Sequence, residues 1–344
     1  MNCGSCSTIP PIRKEGTLWI RPVDGSIRHK LQQIGHVVLL DNHVMGCSYS
    51  NWDELLQLFL LLEAEESALE GKLKPRSEEL AAHLLPDDWV DLAMLQARLE
   101  HYDTVQLILR REFSSHMQPI VDQDLQVIGY EFLLRQSPGK LAISPYQLFE
   151  VARSTGLYTY LDRAACVKAI ETSARYLPQG TKRFVNFLPS SIRNPKFCLQ
   201  HSFDTIAKLS LDPADFVFEV VETEEIKDLD ALKRIFDEYR RHGVAVALDD
   251  LGAGYATIEL MNRLEPDYVK IDRSLIQDCH RDLQKQRQIE RIVQSAKAFD
   301  GKVLAEGIEN SEDYLYCLQA GIPLAQGYLF GRPQQEPLDY VSIA

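Results

Sequence analysis

The run Phe216-Val217-Phe218-Glu219-Val220-Val221-Glu222, the segment 230–242 and the run Ala245-Val246-Ala247-Leu248-Asp249-Asp250-Leu251 decide the fold. The first run is rich in β-branched and aromatic residues, the composition of strands, and the second is a short apolar run broken only by its two acids. Between them Leu232, Ile235, Phe236 and Tyr239 recur at helical spacing, and Gly243 follows as a stop signal. A strand, a helix and a second strand joined over this length make a parallel crossover unit.

The theme extends in both directions. Further β-rich runs stand at 117–122, 127–135, 183–188, 268–272, 302–307 and 325–330, eight in all. From the second run onward the intervals suit a crossover helix, which predicts an α/β chain folded as a (β/α)8 TIM-like barrel with its chemistry at the carboxyl ends of the strands. Only about five residues, around 123–126, part the first two runs. That is a hairpin length, so the first strand is predicted to run antiparallel to the rest.

The residues before 104 read differently. Strands are expected at 17–22, 36–40 and 44–49, a short helix capped by Ser26 at 26–34, and a longer helix at 51–64. The acidic, lysine-containing segment 65–75 reads as a solvated connection, and 77–111 as helical with an interruption at Pro86. The predicted organisation is a small α/β sensory or regulatory module over 1–75, a helical linker over 76–103 and the barrel over 104–337.

Composition narrows the function. The chain has 344 residues, 45% apolar and 25% charged, with 37 Lys+Arg against 50 Asp+Glu for a net charge of −13. That balance disfavours duplex nucleic acid as a partner. The longest apolar run, 55–62, is far short of the about 20 residues a membrane span needs, so no membrane association is expected. Residues 1–6 lack the basic and apolar regions of a secretory signal, and the expected location is cytoplasmic. Seven scattered cysteines do not form a disulfide framework. Cys3-Gly4-Ser5-Cys6 has metal-like spacing that Cys47, with His36 or His43, would complete; zinc, a redox pair and a frayed terminus with incidental thiols all fit.

The predicted strand ends carry polar groups. Glu131 lies in the second run, Asn186 in the third, Glu219 and Glu222 in the fourth, Asp249 and Asp250 in the fifth, and Lys270 and Asp272 in the sixth. Glu306 and Glu309 follow at the seventh. So many carboxylates at one mouth repel one another unless cations sit between them. Oxygen ligands without His or Cys point to Mg²⁺, Mn²⁺ or Ca²⁺ and away from zinc. The pair Asp249-Asp250 suits two ions about 3.5–4 Å apart, the arrangement of phosphoryl-transfer hydrolysis. Lys270 would then hold the attacking water or neutralise phosphate charge, and Glu306 is a candidate general base. Singly, each acid reads equally well as a helix cap or ion-pair partner, Asn186 before Pro189 as a turn, and Lys270-Ile271-Asp272 as an ion pair.

At these residues the chain resembles the EAL-domain cyclic di-GMP phosphodiesterases. The motifs are Gly129-Tyr130-Glu131-Phe132-Leu133-Leu134-Arg135, Phe184-Val185-Asn186-Phe187-Leu188-Pro189, Phe218-Glu219-Val220-Val221-Glu222-Thr223, Leu248-Asp249-Asp250-Leu251-Gly252-Ala253-Gly254-Tyr255, Val269-Lys270-Ile271-Asp272-Arg273, Ala305-Glu306-Gly307-Ile308-Glu309 and Gln326-Gly327-Tyr328-Leu329-Phe330. The resemblance covers about 104–337 and implies a two-metal enzyme, with Mg²⁺ or Mn²⁺, that opens cyclic di-GMP to linear pGpG and pairs as a homodimer through the barrel. By matching position, Glu131, Asn186, Glu219 and Asp249 would bind metal and Asp250 would serve the second ion. Lys270 would contact the attacking water, Glu306 would be the base or a second-metal ligand, and Glu222 would steady the loop after the fifth strand. Arg135 would hold a ligand phosphate; Gln118, Asp272, Glu309, Gln326 and Pro333 would border the substrate.

Two departures stand out. The signature tripeptide reads Glu131-Phe132-Leu133, with Phe where the family has Ala, and Leu251 and Ala253 replace a Phe and a Thr in the loop after the fifth strand. Losing that ring and hydroxyl would weaken turnover while sparing every expected ligand, which leaves a catalytically weak or inactive cyclic di-GMP receptor as the alternative. No Gly-Gly-Asp/Glu-Glu-Phe run precedes the barrel, so the resemblance brings no cyclase with it.

Overall fold

A computed structural model describes residues 12–33, 37–39, 43–63, 69–74, 89–137, 139, 143–192, 194–220, 228–253 and 256–338. Cys3, Cys6, His36 and Glu222 lie outside the described residues. Two compact units are present, one drawn from Met1–Glu112 and Gly139–Tyr160, the other from Phe113–Pro138 and Leu161–Ala344.

The first unit contains an antiparallel sheet of β1 (Gly16–Arg21), β2 (Val37–Leu39), β3 (Met45–Tyr49), β4 (Glu70–Lys74) and β5 (Val90–Asp91) in the order β2-β3-β1-β4-β5. The helix Gly25–Gln32 buries Ile27 and Leu31, and Trp52–Glu63 buries Leu55, Leu58, Phe59 and Leu62. These join Leu18, Ile20, Met45, Cys47 and Tyr49 in one core. At about 1.5–3 kcal/mol per buried large apolar side chain, that stripe is what holds each helix in place.

Three expectations for this region are corrected. The first helix is capped by Asp24, whose Oδ1 accepts from Ile27 N at 2.9 Å, and Ser26 lies inside it. The segment read as a solvated connection contains β4, which pairs with β1. Leu69, Gly71 and Leu73 form its core-facing row, and the intervening Glu70, Lys72 and Lys74, together with a glycine in the apolar row, hide the alternation. The helix expected at 77–111 is, over its described part, β5 followed by two helices, Leu92–Glu100 and Tyr102–Leu109, parted at His101.

The second unit is a closed barrel of β6 (Phe113–Asp122), β7 (Val127–Gln136), β8 (Lys182–Phe187), β9 (Phe216–Val220), β10 (Ala245–Leu251), β11 (Tyr268–Ile271), β12 (Lys302–Ala305) and β13 (Leu324–Gln326). As expected, β6 is antiparallel to both its neighbours, β7 and β13, and the other pairings are parallel. The tight β6–β7 turn forms because Asp122 Oδ1 accepts from Asp124 N and Gln126 N, both at 2.9 Å. The helix Leu229–Arg241 buries Leu232, Ile235, Phe236 and Tyr239, the stripe read from the sequence.

Strand alternation divides the barrel residues into two sets. One set faces the helices, among them Val185, Phe218, Val246, Leu248, Val269 and Ile271. The other fills the interior with a plug of Ile120, Phe184, Val217, Ala247, Tyr268, Leu304 and Leu324. Because side chains on one face recur every two residues, the next inward positions toward the mouth are Gln118, Asn186, Glu219, Asp249, Lys270, Glu306 and Gln326. An apolar floor thus carries a polar layer.

Candidate metal centre at the barrel mouth

Glu131 on β7 completes this layer; it lies opposite Gln118 of β6, and Asn186 lies opposite Glu219. Lys270, 1% exposed, stands among the acids: its Nζ is 3.0 Å from Asp249 Oδ2, 2.8 Å from Glu306 Oε1 and 3.7 Å from Glu131 Oε1, and it touches Glu219 Oε2. Glu131 is fixed from two sides. Asn186 Nδ2 donates to its Oε1 at 3.2 Å and Gln326 Nε2 to its Oε2 at 2.6 Å. Gln118 continues this chain, its Oε1 3.2 Å from Gln326 Nε2 and its Nε2 donating to Gly331 O at 3.1 Å.

The backbone helps to turn the acids inward. Asp250 has φ +54°, a left-handed conformation that Asp tolerates better than most residues, and its N–H donates to Asp249 Oδ1 at 2.8 Å. Two residues on, Gly252 has φ +103°, and a Cβ there would lie 2.1 Å from Leu275 Cδ1. Only glycine fits that turn.

Electrostatics shows how far the protein alone balances this layer. Burial, reinforced by Asp249, pushes the Asp250 carboxyl up to about 7. Burial likewise raises Glu219 and Glu306 well above the ordinary carboxylate range, with Lys270 opposing in both. Burial works against the Lys270 ammonium, but Asp249, Glu131, Glu219 and Glu306 outweigh it and hold its pKa well above the usual lysine value. One ammonium is shared among more acids than it can neutralise.

The donor set fits divalent cations. Oxygens of Glu131, Glu219 and Asp249 lie within 4.8 Å of one another, as do oxygens of Asp249, Asp250 and Glu306, so two ligand clusters share Asp249. Glu219 is completely buried, with Oε2 against the Lys270 ammonium and Oε1 without a donor; Gln326 Oε1 is likewise buried without a donor. Buried oxygens without donors are costly, and a hard cation satisfies them. These are the only clusters of three or more His, Cys, Asp or Glu ligand atoms that close among the described residues.

The other expected site residues are placed as follows. Arg135 is half-buried on β7, its Nη1 donating to Leu134 O at 2.8 Å. Asp272 caps the short helix Arg273–Ile276 through Ser274 N at 2.8 Å, and exposed Glu309 pairs with Arg273 Nη2 at 3.0 Å. Pro333 precedes Gln334, which bridges to Met117 of β6. Cys47 is a core residue of β3, its thiol pushed up to about 12 by burial. Sequence reading missed Asp162, a buried acid in the helix Tyr158–Tyr176; standing between Leu161 and Arg163, it carries no local signal of burial.

A closed α/β barrel with a cation-seeking layer of carboxylates at the strand ends defines a TIM-like barrel with an acidic, metal-fitting mouth. The EAL domain family matches residues 103–333, and the chain belongs to that family. It is 29% identical over 266 residues to the bifunctional diguanylate cyclase/cyclic di-GMP phosphodiesterase MucR of Pseudomonas aeruginosa, covering 73% of this chain and 37% of that protein. Among solved structures it is similar to a standalone EAL protein from Vibrio cholerae in its c-di-GMP-bound form, with 28% identity and TM-score 0.61 over 67% of this chain and 95% of that one. Klebsiella pneumoniae BlrP1, in a calcium/cy-diGMP complex, shares the fold over 93% of this chain and 96% of its own, with 22% identity and TM-score 0.59. The chain spans about a third to a half of the length of several curated relatives that it matches. Among the described residues no helix is long and apolar enough to cross a membrane.

Proposed function

We propose that the chain is a divalent-metal-dependent phosphodiesterase that opens cyclic di-GMP to linear pGpG, under regulation by the amino-terminal unit and as a homodimer. The observation that carries the reading is the pair of carboxylate clusters sharing Asp249, with Glu219 Oε1 buried and without a donor. Glu131, Asn186, Glu219 and Asp249 would hold one Mg²⁺ or Mn²⁺, and Asp250 with Glu306 would draw the second toward Asp249. When bound, such ions neutralise charge on a phosphate and make water a nucleophile near neutral pH. Lys270 keeps the acids at their separations and offers positive charge to the developing phosphate. In place of its ligand role, Glu306 would serve as the base that removes a proton from the attacking water. Arg135, farther along β7 in the direction of the mouth, would hold a ligand phosphate by its guanidinium.

A second reading, a receptor that holds the dinucleotide without cutting it, is favoured by Leu251, which ends β10 beside Asp249 and Asp250, and by Ala253 just beyond it. Incubation of purified protein with cyclic di-GMP and Mn²⁺ decides. The expected result is linear product from the wild type and none from Glu131→Ala. Tight binding in chelator with no turnover in metal selects the receptor, and no product with Glu131→Ala indistinguishable from wild type would sink the phosphodiesterase reading.

A further inference from the structure

Asp162 has no place in the chemistry above, yet it is a buried carboxylate with two specific partners. Its Oδ1 accepts from Leu188 N at 3.1 Å and its Oδ2 accepts the Ser191 hydroxyl at 2.6 Å. Both partners belong to the end of β8. Asn186 is the last but one residue of that strand, Leu188 is the first beyond it, and Pro189–Ser191 is a single 3-10 turn. Pro189 has no N–H to give, and the turn closes on Leu188 O through Ser191 N at 3.0 Å. The outgoing strand therefore stops at Leu188, whose amide is met by the carboxylate, while the other oxygen takes the far end of the turn. A strand end so tied has little freedom to rotate, and Asn186, two residues back, keeps its Nδ2 3.2 Å from Glu131 Oε1.

We propose that Asp162 is a positioning residue for the metal ligand Asn186, acting through Leu188 N and Ser191. The inference rests on the metal-site reading and deepens it: the affinity of the mouth for a divalent cation depends on a carboxylate that does not touch the ion. Groups that orient ligands in this way typically change metal affinity about 10–100-fold when removed.

The test measures Mn²⁺ binding to the full chain, stripped of metal, by the electron paramagnetic resonance signal of the free ion, with near-ultraviolet circular dichroism as the check on folding. Asp162→Ala is expected to weaken Mn²⁺ by about tenfold or more while remaining folded. Asp162→Asn, which keeps an acceptor for Leu188 N and an amide for the Ser191 oxygen, is expected to restore most of the affinity. Ser191→Ala removes one of the two ties and leaves the carboxylate, so a loss of about threefold is expected; it carries the test if Asp162→Ala does not fold. Wild-type affinity in folded Asp162→Ala or in Ser191→Ala, or an Asp162→Asn variant no tighter than Asp162→Ala, overturns the proposal. Failure of the underlying reading looks different: the wild type takes up no Mn²⁺, or Glu219→Gln binds it as the wild type does.

Discussion

Lys270 and Asp162 show two ways in which a barrel accommodates buried charge. The Lys270 ammonium is surrounded by carboxylates at 2.8–3.7 Å and has almost no access to water. Removing one partner of a buried ionic cluster typically costs about 3–5 kcal/mol, tempered here because Glu219 and Glu306 already hold protons more readily than usual. Lys270→Met is therefore expected to melt well below wild type in chelator. Mn²⁺ should raise its melting temperature by more than it raises the wild type's, because the ion replaces the missing charge; equal increments in thermal melts would argue against a cation site. Asp162 titrates instead. Burial lifts its pKa from 3.8 to about 7, against the hydrogen bonds from Ser191 and Leu188. Between those values the unfolded chain has lost the proton and the native chain still holds it, so this group lowers stability as pH rises from about 4 to about 7, with the full cost present above 7. Asp162→Asn lacks that dependence. Urea unfolding across this range should show the variant gaining on wild type as pH rises, and a constant difference would refute the assignment.

Elements are joined in the same manner. At the start of β8 the Arg183 guanidinium, 1% exposed, donates through Nη1 to Asp215 Oδ2 at 2.8 Å and through Nη2 to Leu177 O and Pro178 O, tying the end of one helix to the turn before β9. Asp215→Ala strands that cation and is expected to cost about 3–5 kcal/mol in denaturant unfolding, against a smaller loss for Asp215→Asn, which keeps an acceptor. Gly252→Ala should also destabilise, by about 2 kcal/mol or more, since its Cβ collides with Leu275 and its φ of +103° is foreign to alanine. These pairings explain what the sequence made legible. The barrel strands announced themselves because an interior plug and a helix-facing layer both demand apolar residues, and the polar layer appeared as an acid, amide or lysine interrupting each run. Asp162 and Asp215 gave no such sign: their partners lie 29 and 32 residues away, beyond any local period. β4 was missed for a different reason, since Gly71 stands where an apolar residue would have exposed the alternation.

At the scale of the molecule, the net charge of −13 and the barrel mouth are connected. Under the proposed function, acids gathered where cations fit would reverse the local sign on metal binding and admit a small anionic dinucleotide, while the overall charge disfavours duplex DNA. The other whole-molecule feature is how the amino-terminal unit is drawn. Residues 139–160, which follow β7 in the chain, group with residues 1–112. Their helix, Pro145–Ser154, buries Leu148 and Ala152 and contacts the helices Leu92–Glu100 and Tyr102–Leu109. Arg98 Nε donates to Thr155 O at 2.7 Å in a buried position, and Tyr160 Oη donates to Leu109 O at 3.1 Å. A chain that begins at residue 104 loses Arg98 and the whole of Leu92–Glu100, and with them much of what covers that helix. Hydrogen exchange should therefore show faster amides at 145–154 in the shortened chain than in the full one, while the amides of β9 and β10 keep their protection; equal rates at 145–154 would contradict the packing. The point variant Arg98→Ala should reproduce part of the effect, since it leaves the Thr155 carbonyl buried without its donor. If the chain has the proposed activity, a difference in catalytic rate between the two lengths would report the loosening of Pro145–Ser154 together with any regulation by the sheet, and comparing Arg98→Ala with the shortened chain separates the two.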